Sequence, residues 1–337
     1  MKSAKIMLTA VLILGLSVIT TAASAATTGF NDGPIARNEL MSAARTLLKQ
    51  EKYKEIEQMA AEFRSNKTRF PDGQWKLFHF YKGVAKPEKP SEDEWKGIFL
   101  QLERWSKASP ESLTARVATA EAWLNYAWDA RGTGLGNTVS DEAYRLYTER
   151  VRKAYGILQG ISSRSGDCPH RYQLILRVGH NEGWERQRYI EAFKRAVAFE
   201  PGYHEYYVSM ANYLRPHWHG AEGEWQKFAE IAVKLTPQSE GITVYPLIVW
   251  GLWQKGNTWK SFEEGGISWP MMKQGFLDME KNYPDSRWNL NMFCFYACLA
   301  GDCETARKLF ERIGDTPYLE AWQTRELFAS LRQWAMQ

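Results

Sequence analysis

The chain contains no Gly-x-Ser-x-Gly, no His-Glu-x-x-His and no Gly-Lys-Ser/Thr. These absences exclude the nucleophile elbow of α/β-hydrolases, the helical zinc-protease site and the P-loop. Charge of one sign is also missing, with 43 Lys and Arg against 39 Asp and Glu. So even a balance sets up no strong field for nucleic acid or an anionic membrane. Where charges cluster they alternate in sign, as in Glu149-Arg150-Val151-Arg152-Lys153, and read as solvated helix faces. Alternating β-branched runs long enough for a strand are absent.

Cysteine is scarce, at Cys168, Cys294, Cys298 and Cys303. Cys294 falls where a helical repeat wants a small residue, so it reads as packing. Cys298 and Cys303 flank the Ala300-Gly301-Asp302 turn, close enough in sequence for a disulfide in an oxidising compartment. No histidine or carboxylate stands around them at metal-ligand spacing. No cofactor is implied.

Long hydrophobic runs are confined to the first residues. Met1-Lys2-Ser3-Ala4-Lys5 leads into an apolar run from Ile6 to Ile19, then Ala23-Ser24-Ala25. A basic start, an apolar stretch and a small-x-small site make a secretory signal peptide. A membrane anchor wants about 20 apolar residues and charged flanks on both sides. The expected organisation is therefore a cleaved signal over 1–25, a disordered linker over 26–35 and one domain over 36–337. Cleavage removes Lys2 and Lys5 and leaves no membrane span. The expected location is periplasmic or secreted.

What remains has helical spacing almost throughout. Ala36–Gln50 and Tyr53–Ser65 predict a first hairpin, followed by Gln74–Val84 and Glu92–Lys107. Ser91 with Glu94 three residues on is a capping-box signature. Leu113–Arg131 carries alanine around most of its circumference, as a buried helix does. Near the C-terminus, Leu290, Phe293, Cys294, Gly301, Ala306 and Phe310 follow the intervals of a tetratricopeptide helix–turn–helix unit. Phe193, Ala196 and Pro201 share part of that grammar. Ala232 and Pro237 repeat its Ala-to-Pro interval 36 residues later, against a period of about 34. A helix over Leu319–Trp334 would cap the stack. The expected fold is all-α, with antiparallel helix pairs stacked as a tetratricopeptide-like α-solenoid.

Several stretches together resemble a secreted bacterial domain-of-unknown-function family, the one numbered four thousand and thirty-four. They are Ala122-Trp123-Leu124-Asn125-Tyr126-Ala127-Trp128-Asp129-Ala130-Arg131-Gly132, Thr138-Val139-Ser140 and Tyr213-Leu214-Arg215-Pro216-His217-Trp218-His219-Gly220. Asn282-Tyr283-Pro284-Asp285-Ser286 and Trp288-Asn289-Leu290-Asn291 complete the likeness. The resemblance runs from about Ala36 to the C-terminus. It implies tetratricopeptide-like helices and supplies no activity. His217 and His219 depart from the arginine or glycine more usual there, which weakens any role hung on them.

Several residue sets invite a chemical reading. His217 and His219, with His204 and Glu222 or Glu224, are poorly arranged for zinc; local hydrogen bonding and stacking account for them better. Gly132-x-Gly134-x-Gly136 follows a helix, not a strand, so it reads as a helix–helix connection. Fifteen tryptophans are a heavy load, and most belong in a core. Trp250, Trp253 and Trp259 would suit a groove. Glu121, Asn125 and Trp128 share one stripe of the buried helix, with Arg131 one turn on. A polar stripe there must find partners, either as a lock between helices or at a ligand. With Trp218 these four are the ligand-binding candidates. No residue is singled out as catalytic. The expected function is non-enzymatic recognition of a protein or peptide partner on the concave face. A glycan-acting enzyme and a small-ligand-binding protein are the alternatives.

Overall fold

A computed structural model describes residues 30–132, 134, 138–161, 167–256 and 262–337. The signal segment 1–25, linker residues 26–29 and Trp259 lie outside the described residues. Those described form fifteen α-helices and two short 3-10 turns. Among them there is no strand, only an isolated bridge between Arg69 and Trp75. No described helix is long and apolar enough to cross a membrane.

The first helices are α1 (Gly33–Lys49), α2 (Tyr53–Ser65), α3 (Lys76–Val84), α4 (Glu92–Ala108) and α5 (Leu113–Arg131). The Ser91 hydroxyl caps α4 by accepting from the Glu94 N–H, as the capping signature predicts. Helix α5 is buried nearly all round, with Ala115, Ala118, Ala120, Ala122 and Ala127 fully enclosed. It packs on α3, α4, α6 (Asp141–Gln159) and α7 (Pro169–Asn181). Its alanines permit this crowding, since a larger side chain would hold the neighbours off.

The chain continues through α8 (Arg186–Phe199), α9 (Glu205–Tyr213), α10 (Glu224–Leu235) and α11 (Val244–Gln254). Then come α12 (Trp269–Asn282), α13 (Arg287–Leu299), α14 (Cys303–Ile313) and α15 (Arg325–Met336). The repeat grammar holds in the pair α13–α14. The Cys294 thiol donates to the Ala306 carbonyl at 3.6 Å, a close approach that its small side chain allows. Trp75, Trp95, Trp105 and Trp322 are among the largest fully buried side chains. Each donates its indole N–H inside the molecule, to Gly202, Asp129, Glu57 and Asn291 respectively.

Three expectations need correction. The terminal helix does not begin at Leu319: a 3-10 turn over Leu319–Ala321 comes first, and Gln323 at φ 65° breaks the path. Thr324 then caps α15 by accepting from the Leu327 N–H at 3.1 Å. No disulfide joins Cys298 and Cys303, since all four cysteines are free. Cys298 is buried beside Cys294, one turn away on the same helix, while the Cys303 thiol donates to the Ala335 carbonyl of α15 at 3.4 Å. Phe30 to Ile35 pack tightly instead of forming a free linker, and Asp32 is only 1% exposed.

That packing brings the two ends of the array together. The Asp32 carboxylate accepts from the Ser286 hydroxyl at 2.7 Å and the Trp288 N–H at 2.9 Å, at the start of α13. Tyr318 donates to the Asp32 carbonyl at 2.9 Å and accepts from the Ile35 N–H at 3.2 Å. Gly33 is required between them: its φ is +61°, and a Cβ there would lie 2.9 Å from the Tyr318 hydroxyl. The loop between α2 and α3 makes a second closure. Trp75 and Arg69 both donate to the Gly202 carbonyl, and Arg69 pairs with Glu240. The stack thus curls until its first helix meets α13.

Candidate functional site

A cavity of about 330 Å³, partly open to solvent, is walled by α1, α3, α9 and α11. Close backbone contact sets the α1–α3 wall. A Cβ on Gly83 would stand 2.7 Å from the Met41 carbonyl oxygen, so only glycine allows the two helices this near. The wall then presents Arg37 from α1, His79 and Lys82 from α3, His204 and Glu205 from the start of α9, and Trp250 and Lys255 from the end of α11.

Each charge has a traceable environment. Arg37 donates to Asp72 at 2.8 Å, with both side chains buried. Its guanidinium also lies 5.3 and 5.4 Å from the Trp250 and Trp288 ring centres, within cation–π range. Burial lowers the pKa of Arg37 and raises that of Asp72, and each opposes the other's shift. Asn289 of α13 donates to the Asp72 carbonyl at 3.2 Å, so this pair also ties both ends of the array to the cavity wall.

Lys82 lies 5.0 Å from the Phe78 ring centre. Burial lowers its pKa, and Glu205 and Glu121 pull it back up. Lys255 lies exposed just past the end of α11; desolvation by neighbouring groups lowers its ammonium pKa to about 8, Glu205 opposes the shift, and Arg177 and Lys82 add to it. Burial would raise the pKa of Glu205, but hydrogen bonding to His204 and the two lysines outweigh it, so its carboxylate pKa falls. His204 bonds Gln74 at 3.2 Å through Nε2, and its Nδ1 has no partner.

His79 is the unusual member. It is 7% exposed, and neither ring nitrogen has a hydrogen-bond partner. Burial, then the neighbouring Lys82, hold its pKa well below the ordinary histidine value, so the ring is neutral. The rings of Phe78 and Phe70 stand edge-on, with centres 5.1 and 5.6 Å away. A buried polar group without a partner costs about 1–3 kcal/mol. Such a cost persists where a ligand supplies the missing bonds, and the chemistry available here is binding and orientation of a small polar molecule.

The structure does bring the sequence-predicted residues together, but beside this cavity, outside its lining. Glu121 of α5 accepts from His170 at 2.7 Å and from Arg177 at 3.4 Å, both on α7. Asn125 accepts from Arg177 at 3.0 Å and donates to the Ala85 carbonyl at 3.2 Å. Both side chains are thus engaged in locking α5 to α7 and to the end of α3. Trp128 meets Trp218 edge-on at 6.5 Å, and the Arg131 guanidinium lies 5.1 Å from the Trp128 ring centre. Arg131 also donates to the Gly132 and Gly134 carbonyls at 3.2 Å each. The histidines separate: His204 faces the cavity, His219 stacks on Tyr213 and Glu224 pairs with Arg186.

Sequence reasoning missed Arg37, His79, Lys82, Glu205 and Lys255. One signal was available: His79 and Lys82 stand three apart in the otherwise apolar stretch Leu77–Val84, the pattern that drew notice to Glu121. The fold and cavity define an all-α helical-repeat protein with a polar cavity between its helices. A scan against protein-family models finds no match to the chain, and a search of the curated proteins finds none either.

Proposed function

We propose that this is an exported, non-enzymatic recognition protein whose ligand is a small polar molecule held in the central cavity. The observation that carries the reading is a cavity of about 330 Å³ lined by His79, whose buried ring nitrogens have no protein partner. Cavities of about 300–1,000 Å³ with a few convergent polar groups are usual for small-molecule sites.

A peptide entering end-first is the second reading. It is favoured by the pairing of one acid, Glu205, with two lysines at the same wall. Location outside the cytoplasm rests on the N-terminal signal pattern alone.

The test is a thermal-shift screen of the mature protein against fractionated small-molecule extracts. Ligand at about 100 times its Kd adds about 2.7 kcal/mol of stability. Asn38 lines the cavity and is exposed, so Asn38→Trp fills the space without burying a new polar group. Stabilisation by a fraction in the wild type and its loss in this variant is the expected result. If no fraction stabilises the protein, or if the variant responds equally, the cavity is not the site.

A further inference from the structure

We propose that the cavity is a carboxylate-binding site, with the ligand's anionic group gripped between Lys82 and Lys255. This rests on the cavity being the ligand site. The first support is a charge account of the walls. Arg37 is matched by Asp72, and Arg177 by Glu121. That leaves Lys82 and Lys255 facing Glu205, so the wall carries net positive charge. Neither lysine has an ion-pair partner within 4 Å among the described residues; both feel Glu205, and Lys82 acts on Lys255. Arg215, bonded to Asn212 at 3.1 Å, adds positive potential from the far end of α9.

The second support is independent of charge. His79, 7% exposed, has two unpartnered nitrogens, and His204, 2% exposed, has one. A ligand oxygen or hydroxyl that bonded them would remove the cost of leaving them bare. Trp250 and Phe78 supply apolar surface for the carbon skeleton.

A carboxylate suits this wall because each ammonium group can donate to an oxygen while Trp250 and Phe78 cover the carbon skeleton. Lys82 of α3 and Lys255, just past the end of α11, both line the cavity, which places an anionic group between them. The carboxylate belongs either to a small organic acid or to the C-terminus of a peptide, and the two sources are separable by experiment.

The probes are D-gluconate against D-glucose, and triglycine against triglycine amide, measured by thermal shift and calorimetry on the mature protein. The acids are expected to bind and their uncharged counterparts not to. Gluconate binding alone assigns the site to small acids; triglycine binding alone assigns it to peptide C-termini. Lys82→Gln and Lys255→Gln should each weaken binding about tenfold or more, as loss of a charge-assisted bond does. Lys82→Arg keeps the charge and should restore most of the affinity, which separates a binding role from a folding defect. Lys308→Gln, on a surface pair with Glu304, should change nothing. The proposal is overturned if no acid binds, if acids and neutral probes bind alike, or if the lysine variants keep full affinity. Persisting extract-dependent stabilisation, lost in Asn38→Trp, would then leave the cavity as a site for a neutral ligand.

Discussion

Replacing His79 by Phe should make the protein more stable, although His79 is in its core. The ring is 7% exposed, and both nitrogens lack partners. Its neighbours are aromatic, with Phe78 and Phe70 edge-on at 5.1 and 5.6 Å. Phe keeps these contacts and removes a buried donor and acceptor, a gain of about 1–3 kcal/mol. The adjoining cavity gives the slightly larger ring room to settle, so little of that gain is lost to overpacking.

The same substitution has a signature in pH. Burial, then Lys82, hold the folded-state pKa of His79 well below 6.5, its value when unfolded. The unfolded chain therefore binds a proton that the folded chain refuses. The stability contributed by the neutral ring is complete above pH 6.5 and is lost as pH falls towards the folded pKa. Between pH about 7.5 and about 5 the wild type should therefore lose stability through this one group. His79→Phe should lack that increment. The assay is urea unfolding of both proteins at the two pH values, followed by far-UV circular dichroism, with midpoints compared at constant m. A variant no more stable than wild type, or one with the same loss of stability on acidification, would refute the reasoning. It would mean that the His79 nitrogens are satisfied or its ring is charged.

Other perturbations test separate parts of the structure. Glu121→Gln removes the charge shared by His170 and Arg177, and should cost about 3 kcal/mol in the same assay because it breaks a buried pair. Asp32→Ala removes the acceptor that holds Ser286 and Trp288. It should cost about 3 kcal/mol and expose α1 to limited proteolysis; an unchanged cleavage pattern would show that the ends do not depend on this contact. Affinity for a carboxylate ligand should fall above pH 8, by up to about tenfold per unit, as Lys255 releases its proton. A flat profile by calorimetry would remove Lys255 from the site. Finally, denatured, unreduced protein treated with iodoacetamide should gain four adducts by mass spectrometry. Two adducts would reveal a disulfide.

Local order was legible in the chain because local rules create it. Apolar periodicity, the Ser91 cap and the alanines of Leu113–Arg131 place the helices to within a few residues. The small-residue grammar of Leu290–Phe310 announces a close-packed pair, since the contact of Cys294 with Ala306 depends on residues only twelve apart. The polar stripe at Glu121 was visible for the same reason: three polar groups on one buried helix must find partners, and Arg177 and His170 provide them. The terminal helix misled because a single residue in an uncommon conformation, Gln323, outweighed an otherwise continuous apolar pattern.

The cavity is a different kind of fact. Lys82 and Glu205 stand on two helices more than a hundred residues apart, Lys255 follows a third about fifty residues further on, and no local spacing relates them. They face one another because Asp32 reaches α13, Tyr318 reaches α1, and Arg69 reaches Gly202 and Glu240. By itself the chain determined an all-helical array of packed pairs, since each pair is stabilised by neighbours in sequence. Which of its side chains meet around one cavity was decided by contacts between parts of the chain far apart in sequence. Those contacts depend on the accumulated rotation from one pair to the next, a quantity carried by no single motif.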